Sequence, residues 1–231
     1  MPIDFAQCEK VLEFEFKNKD LLRQAFTHRS YINENKRLKI GHNERLEFLG
    51  DAVLELIITE YLYDKFPDKP EGDLTSYRSA LVNSNTLSDI AQKLGMEKFL
   101  LLSKGESKDT GRARQYILAN TYEAVTGAMF LDQGYDATAK FIERTVFPLT
   151  DNIVKGKLWL DAKSHFQEKA QEETGITPSY RSVSEAGPDH YKHFTVAVFL
   201  GENLIAEGQG HSKQEAEQSA AQNGLKKNGW E

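Results

Sequence analysis

Apolar residues recur at helical spacing through the first two thirds of the chain. The segments 20–26, 44–63, 74–94, 114–131 and 136–154 each carry the i, i+3, i+4 pattern of a helix with a buried face. No convincing strand alternation interrupts them. Glycine and proline punctuate the gaps, at Pro67, Pro70, Gly95, Gly105, Gly111 and Gly134. The texture changes after Gly156. Residues 161–173 read as a helix closed by Thr174 and Gly175. Three β-like runs follow, over 180–183, 194–200 and 204–206, with turn residues Gly187-Pro188 and Gly201-Glu202-Asn203 between them. Residues 213–227 are alanine-rich and helical, closed by Asn228-Gly229. The pattern predicts a mainly α protein. An all-helical N-terminal domain spans 1–154, a short glycine-containing linker 155–160, and a small α-β-β-β-α (α+β) domain 161–229.

Composition bounds what such a chain does. With 39% hydrophobic and 28% charged residues it belongs with ordinary globular proteins rather than disordered ones. No apolar run approaches the ~18 residues needed to span a bilayer. The start lacks a basic segment followed by an apolar core, so no secretory signal is expected. The single cysteine, Cys8, excludes an internal disulfide framework and suits a reducing, cytoplasmic setting. The formal charge is −6, from 29 basic and 35 acidic side chains. It does not concentrate in one half: residues 1–154 carry 20 basic and 24 acidic groups, and 155–231 carry 9 and 11. At face value this opposes nucleic-acid binding, because phosphate favours lysine and arginine.

The most informative stretch is Asn43-Glu44-Arg45-Leu46-Glu47-Phe48-Leu49-Gly50-Asp51-Ala52-Val53-Leu54. At ~100° per residue, Glu44, Glu47 and Asp51 fall within about 60° of one another on a helix. The rest of that helix is apolar nearly all round, which predicts burial. Buried carboxylates are costly unless paired or bound to a cation. A structural reading covers some of them: Glu44 suits a helix N-terminus that Asn43 could cap, and Glu47 could pair with a basic residue. Asp51 after Gly50 is harder to explain, since both are poor helix formers. In the helix beginning at Ile117, Asn120 and Glu123 share a face, and Ala119, Ala124, Gly127 and Ala128 would admit a close neighbour. Two such helices packed together would gather oxygen ligands of the kind that hold Mg²⁺.

The run from Asn43 to Leu54 resembles the hallmark motif of the ribonuclease III family. Thr27-His28-Arg29-Ser30-Tyr31, Glu71-Gly72-Asp73-Leu74 with Arg78-Ser79-Ala80-Leu81-Val82, and residues 117–132 resemble its other motifs. Residues 161–227 resemble a double-stranded-RNA-binding domain, with Gly187-Pro188-Asp189-His190, Gly208-Gln209-Gly210 and Ser212-Lys213-Gln214-Glu215-Ala216 in the expected places. The similarity covers nearly the whole chain. It implies a metal-dependent endonuclease for double-stranded RNA that acts as a homodimer and leaves 5′-phosphate and 3′-hydroxyl ends with two-nucleotide 3′ overhangs. It also implies a role in processing ribosomal RNA precursors and messenger RNA. Asp51 and Glu123 match catalytic positions. Glu47, Asp51, Asn120 and Glu123 match ligands for Mg²⁺, with Mn²⁺ as a substitute. Glu44 and Glu71 match further acids of the cleavage valley. Phe48 matches a dimer-interface residue, with a core position as the alternative. The family most often has Asp where this chain has Asn120, the one feature that favours a rival non-catalytic RNA-binding scaffold.

Duplex RNA is read by shape, through phosphates and 2′-hydroxyls. The resemblance assigns such contacts to Ser164, Gln167 and Glu168 on the first helix of the tail domain, to His190, and to Ser212 and Lys213 before the last helix. Gln214 stands where the family often has a second lysine, and Glu215 and Glu217 follow. The expectation is weak RNA binding by this domain alone.

Overall fold

The structure, a computed structural model, describes residues 4–36, 40–156, 161–187 and 192–230. The chain divides into two compact units, Met1–Trp159 and Leu160–Glu231.

The first unit is helical. Three short helices open it: α1 (Phe5–Leu12), α2 (Lys19–Ala25) and α3 (Arg29–Glu34). Helices this short depend on their ends and on packing, and each has a side-chain cap. Asp4 accepts from the amide of Gln7, Asn18 from that of Asp20, and the His28 ring from that of Ser30. Two long helices, α4 (Glu44–Lys65) and α7 (Arg112–Thr145), form the centre and pack on one another. The periodic stretch 74–94 is two helices rather than one, α5 (Glu71–Val82) and α6 (Ser84–Lys93). Asn83 is extended, at φ −68° and ψ 158°, and its Oδ1 accepts from the Thr86 amide at 2.9 Å to start α6. The apolar pattern runs through the break because Leu81, Leu87, Ile90 and Ala91 all enter the same core.

Helix α7 turns sharply at Gly134, whose φ of 80° is open to glycine at little cost. The preceding Asp132 accepts from the amides of Lys17 and Asn18, both at 2.8 Å, and so clips the kink to the start of α2. The stretch 136–154 is also divided. After Thr145 the chain makes a 3₁₀ turn over Phe147–Leu149, with Pro148 inside it, before the short helix α8 (Thr150–Lys155).

The second unit has the order α9 (Ala162–Thr174), β1 (Pro178–Ala186), β2 (His193–Leu200), β3 (Asn203–Gly210) and α10 (Lys213–Asn228). The sheet is antiparallel, ordered β1-β2-β3, with Tyr180 opposite Val198 and Val198 opposite Ala206. β1 and β3 both run longer than alternation alone indicated. Most of their exposed residues are polar, though Val183 and Leu204 are not, and the register slips at Ser182/Ser184 and Val198/Phe199, which hides the period of two. Phe166, Ala170, Ala220, Ala221 and Leu225 pack with Val198 and Leu200. A Cβ at Gly208 would lie 2.0 Å from the Ala220 nitrogen, so β3 meets α10 backbone to backbone.

Candidate active site

Helices α4 and α7 cross in direct backbone contact. A Cβ at Gly50 would stand 1.8 Å from the carbonyl oxygen of Glu123, and one at Gly127 would stand 2.2 Å from that of Leu46. No larger residue fits either position. Gly50 therefore has a packing reason as well as a place in the acidic motif. The crossing sets Glu47 and Asp51 beside Asn120 and Glu123; Glu47, Asp51 and Glu123 lie within about one turn of a contacting glycine, and Asn120 one turn beyond Glu123.

The N-terminus of α4 is anchored separately. Asn43 is buried, and its backbone oxygen accepts from Leu46 and Glu47 at 2.8 and 2.9 Å. Its side chain does not cap the helix; the amide donates to the Ala25 oxygen at 3.3 Å. Thr27 accepts from the Asn43 amide at 2.9 Å and bridges to Leu101, so the Thr27–Tyr31 motif holds the start of α4 in place. Arg29 from this motif reaches Glu44, Nη1 to Oε1 at 3.2 Å, and His42 Nδ1 stands 3.7 Å from the other oxygen. Sequence reasoning had no partner for Glu44 and missed Arg29. The only available signal was that the two motifs had to meet.

The remaining acids are different. Among the described residues no lysine or arginine forms an ion pair with Glu47, Asp51 or Glu123. Burial pushes the Glu47 carboxyl above its usual range, and Glu44 and Asp51 add to the effect. An amide hydrogen bond from Asn120 opposes it. Glu123 is pushed up to about 8, first by burial and then by the charges of Asp51 and Glu47. Asp51 itself is exposed, contrary to the buried helix that the sequence predicts. The desolvation cost sits at Glu123 and Glu47 instead. Exposed with Asp51 on α4 are Phe48, at 81%, Ala52, Leu56 and Tyr63, with the polar Arg45 and Thr59 on the same side, so this helix keeps a bare face that mixes apolar and polar residues. Phe48 is thus not a core residue. A groove of about 630 Å³ beside it is lined by Leu21, Leu46, Leu49 and Leu131 among others.

The donor set suits a hard divalent cation: three carboxylates and an amide carbonyl, all oxygen. Among the described residues no three acidic, histidine or cysteine side chains converge closely enough to hold an ion without adjustment. Glu71 opens α5, is exposed, and is not among the charges acting on Glu47 or Glu123. Arg78, two turns further along α5, donates to Thr59 on α4 at 2.9 Å. That contact sets Glu71 toward the far end of α4 from Glu47 and Asp51.

Comparisons with known proteins give the family of each unit. Residues 18–149 match the ribonuclease-III-like family, and residues 162–228 match the double-stranded RNA binding motif. Ribonuclease 3 of Enterococcus faecalis is 46% identical over 211 residues, covering 91% of each chain. Ribonuclease 3 of Listeria monocytogenes is 41% identical over 221 residues, covering 96% of each. A ribonuclease III nuclease domain from Campylobacter jejuni, described as flexible in a region involved in dimer formation, superposes with a TM-score of 0.56. It is 40% identical and covers 63% of this chain and 99% of its own. The chain belongs to the ribonuclease III family.

As a ribonuclease III the protein is an endoribonuclease with a double-stranded-RNA-binding domain. Within that domain Ser164, Gln167 and Glu168 are exposed on α9, and Ser164 donates to Asp161 at 2.8 Å. Ser212 caps α10 by accepting from the Glu215 amide at 3.2 Å. Lys213 pairs with Glu185 at 3.0 Å and remains well exposed. His190 lies outside the described residues. The two acids that argued against RNA binding are engaged in the fold: Glu215 accepts from the His211 amide at 2.9 Å, and Glu217 pairs with Lys163 at 2.6 Å. No helix among the described residues is long and apolar enough to cross a membrane.

Proposed function

We propose that this ribonuclease III hydrolyses double-stranded RNA with Mg²⁺ held by Glu47, Asp51, Asn120 and Glu123. Asp51 and Glu123 are the residues on which the reaction most depends. The observation that carries this reading is the unpaired state of the carboxylates at a crossing of two helices. Glu123 is raised to about 8, first by its burial and then by the charges of Asp51 and Glu47. When bound, Mg²⁺ supplies the Lewis acidity that activates water and stabilises both the pentavalent phosphorus and the leaving oxygen. The protein's part is positional. The glycine contact fixes the spacing of the two acid-bearing helices, and the Asn120 amide orients Glu47.

The products carry 5′-phosphate and 3′-hydroxyl ends. Two copies act together through the bare face of α4, where Phe48 of each meets the groove beside Phe48 of the other. A two-fold interface of this kind is self-complementary, and two sites so related cut opposite strands to leave two-nucleotide 3′ overhangs. Glu71 joins the cleavage valley only from the second copy, given its place at the far end of α4. Mn²⁺ substitutes for Mg²⁺. Ribosomal RNA precursors and messenger RNA are the substrates, in the cytoplasm.

Incubation of the purified protein with long duplex RNA and Mg²⁺, with mapping of product ends, tests the reaction. Short duplexes with two-nucleotide 3′ overhangs are expected. Glu123→Gln and Asp51→Asn are each expected to slow cleavage by roughly a thousandfold while duplex RNA is still retarded on a gel. Parental rates in both variants would remove the metal assignment. Retardation without cleavage by the parent would make the protein a scaffold.

A further inference from the structure

His193 opens β2, and His211 follows the last residue of β3. The register sets Phe194 opposite Gly210, so the next residues outward, His193 and His211, oppose each other across the two strands. Their ring centroids are 4.3 Å apart and the rings are tilted by 52°. Both residues are exposed. Directly opposed positions in an antiparallel pair hold their Cβ atoms about 4.5–5.5 Å apart, which lets two imidazoles turn a nitrogen each toward one ion. Neutral imidazole suits zinc, nickel and copper, whereas Mg²⁺ prefers carboxylate, carbonyl and water.

We propose that His193 and His211 form a bidentate site for a first-row transition-metal cation such as Zn²⁺, distinct from the carboxylate centre on α4 and α7. The charges around it are balanced. Glu185 on β1 is paired with Lys213 on α10, Glu215 on α10 accepts from the His211 amide, and Lys192 precedes His193. Selectivity therefore rests on the imidazoles rather than on the local field. Among the described residues no third histidine, cysteine or carboxylate completes a three-ligand set. Water fills the remaining positions, and the ion exchanges freely, unlike one in a closed four-ligand structural site. An ion held here ties the ends of β2 and β3 together one residue ahead of Ser212, the cap of α10.

The test is calorimetric titration of the full chain with Zn²⁺ in excess Mg²⁺. Binding at the carboxylates is the background left in the His193→Asn/His211→Asn double variant. The parent is expected to show one further ion per chain. Each single variant is expected to weaken that ion by about tenfold or more, because removing one arm of a chelate loses the effective concentration of the other. The double variant should lose little beyond either single one. His193→Gln and His211→Gln repeat the comparison with a different side chain, and unfolding midpoints in chelator confirm that each variant is folded. A parent indistinguishable from the double variant would overturn the proposal. So would single losses that add up to the double one, which would describe two independent surface imidazoles, or loss of the ion in His190→Asn alone.

Discussion

The two units carry the same sign of excess charge and use it in opposite ways. In the catalytic unit Glu47, Asp51 and Glu123 stand together without basic partners, and burial makes that expensive for Glu123. In the RNA-binding unit several acids are matched instead: Glu217 with Lys163, Glu185 with Lys213, Glu202 with Arg181, and Glu215 with the His211 amide ahead of α10. Net charge cannot tell these cases apart. Unpaired acid at a helix crossing is demand for a cation, whereas paired acid on a small domain is neutralised surface. Thus a chain with a charge of −6 can still be a double-stranded-RNA enzyme.

The sharpest way to break the contrast is to separate the two helices that create the unpaired cluster. Gly127→Ala would drive a methyl group into the Leu46 carbonyl. The expected cost is about 3 kcal/mol in urea unfolding, with cleavage lost even where the variant remains folded. Unchanged stability would mean that α4 and α7 do not touch there.

The second prediction concerns pH in the absence of metal. The folded pKa of Glu123 is raised, to about 8 against an ordinary 4.5. The folded state therefore binds the proton more tightly than the unfolded state does. The penalty is absent below about 4.5, grows as pH rises, and is complete above about 8. After discounting for partial exposure it amounts to roughly 2 kcal/mol. In chelator, the melting temperature of the parent should fall across this window more than that of Glu123→Gln, and Mg²⁺ should remove the difference. Parallel curves for the two proteins would show that Glu123 is not strained.

Asn120→Asp probes the same cluster from inside. It adds a carboxylate and removes the amide that serves Glu47. The metal-free protein should be slightly less stable and its Mg²⁺ midpoint about tenfold lower, equivalent to ~1.4 kcal/mol. The smallest effect belongs to the paired unit. Lys213→Ala should weaken duplex RNA binding uniformly across sequences and reduce the salt slope by about one. Glu217→Gln should change stability by about 1 kcal/mol or less, as befits a half-buried pair at the rim of a small domain.

The acid-bearing faces were legible because helical spacing alone aligns Glu44, Glu47 and Asp51, and separately Asn120 and Glu123. Small residues on α7 also announced a close neighbour. Periodicity could not reveal α1 and α3, which are too short and are held by caps, nor the break at Asn83, across which the apolar pattern continues. Exposure of Asp51 and Phe48 was hidden for a related reason. An apolar face reads the same whether it meets its own core or lies bare. The Arg29–Glu44 pair and the facing histidines needed the fold itself, since each joins segments that have no local relation.

The contact at Gly50 and Gly127 also acts as a mechanical pivot. Side chains between helices compress and switch rotamers, but two backbones already touching have nothing softer to yield. At ~1.5 Å of rise per residue, the four residues from Gly127 to Glu123 make a lever of only about 6 Å. Rocking the helices by about 10° around that fulcrum moves the carboxylate-bearing backbone by only about 1 Å. The protein can flex at the ends of its long helices while the acids keep their separation.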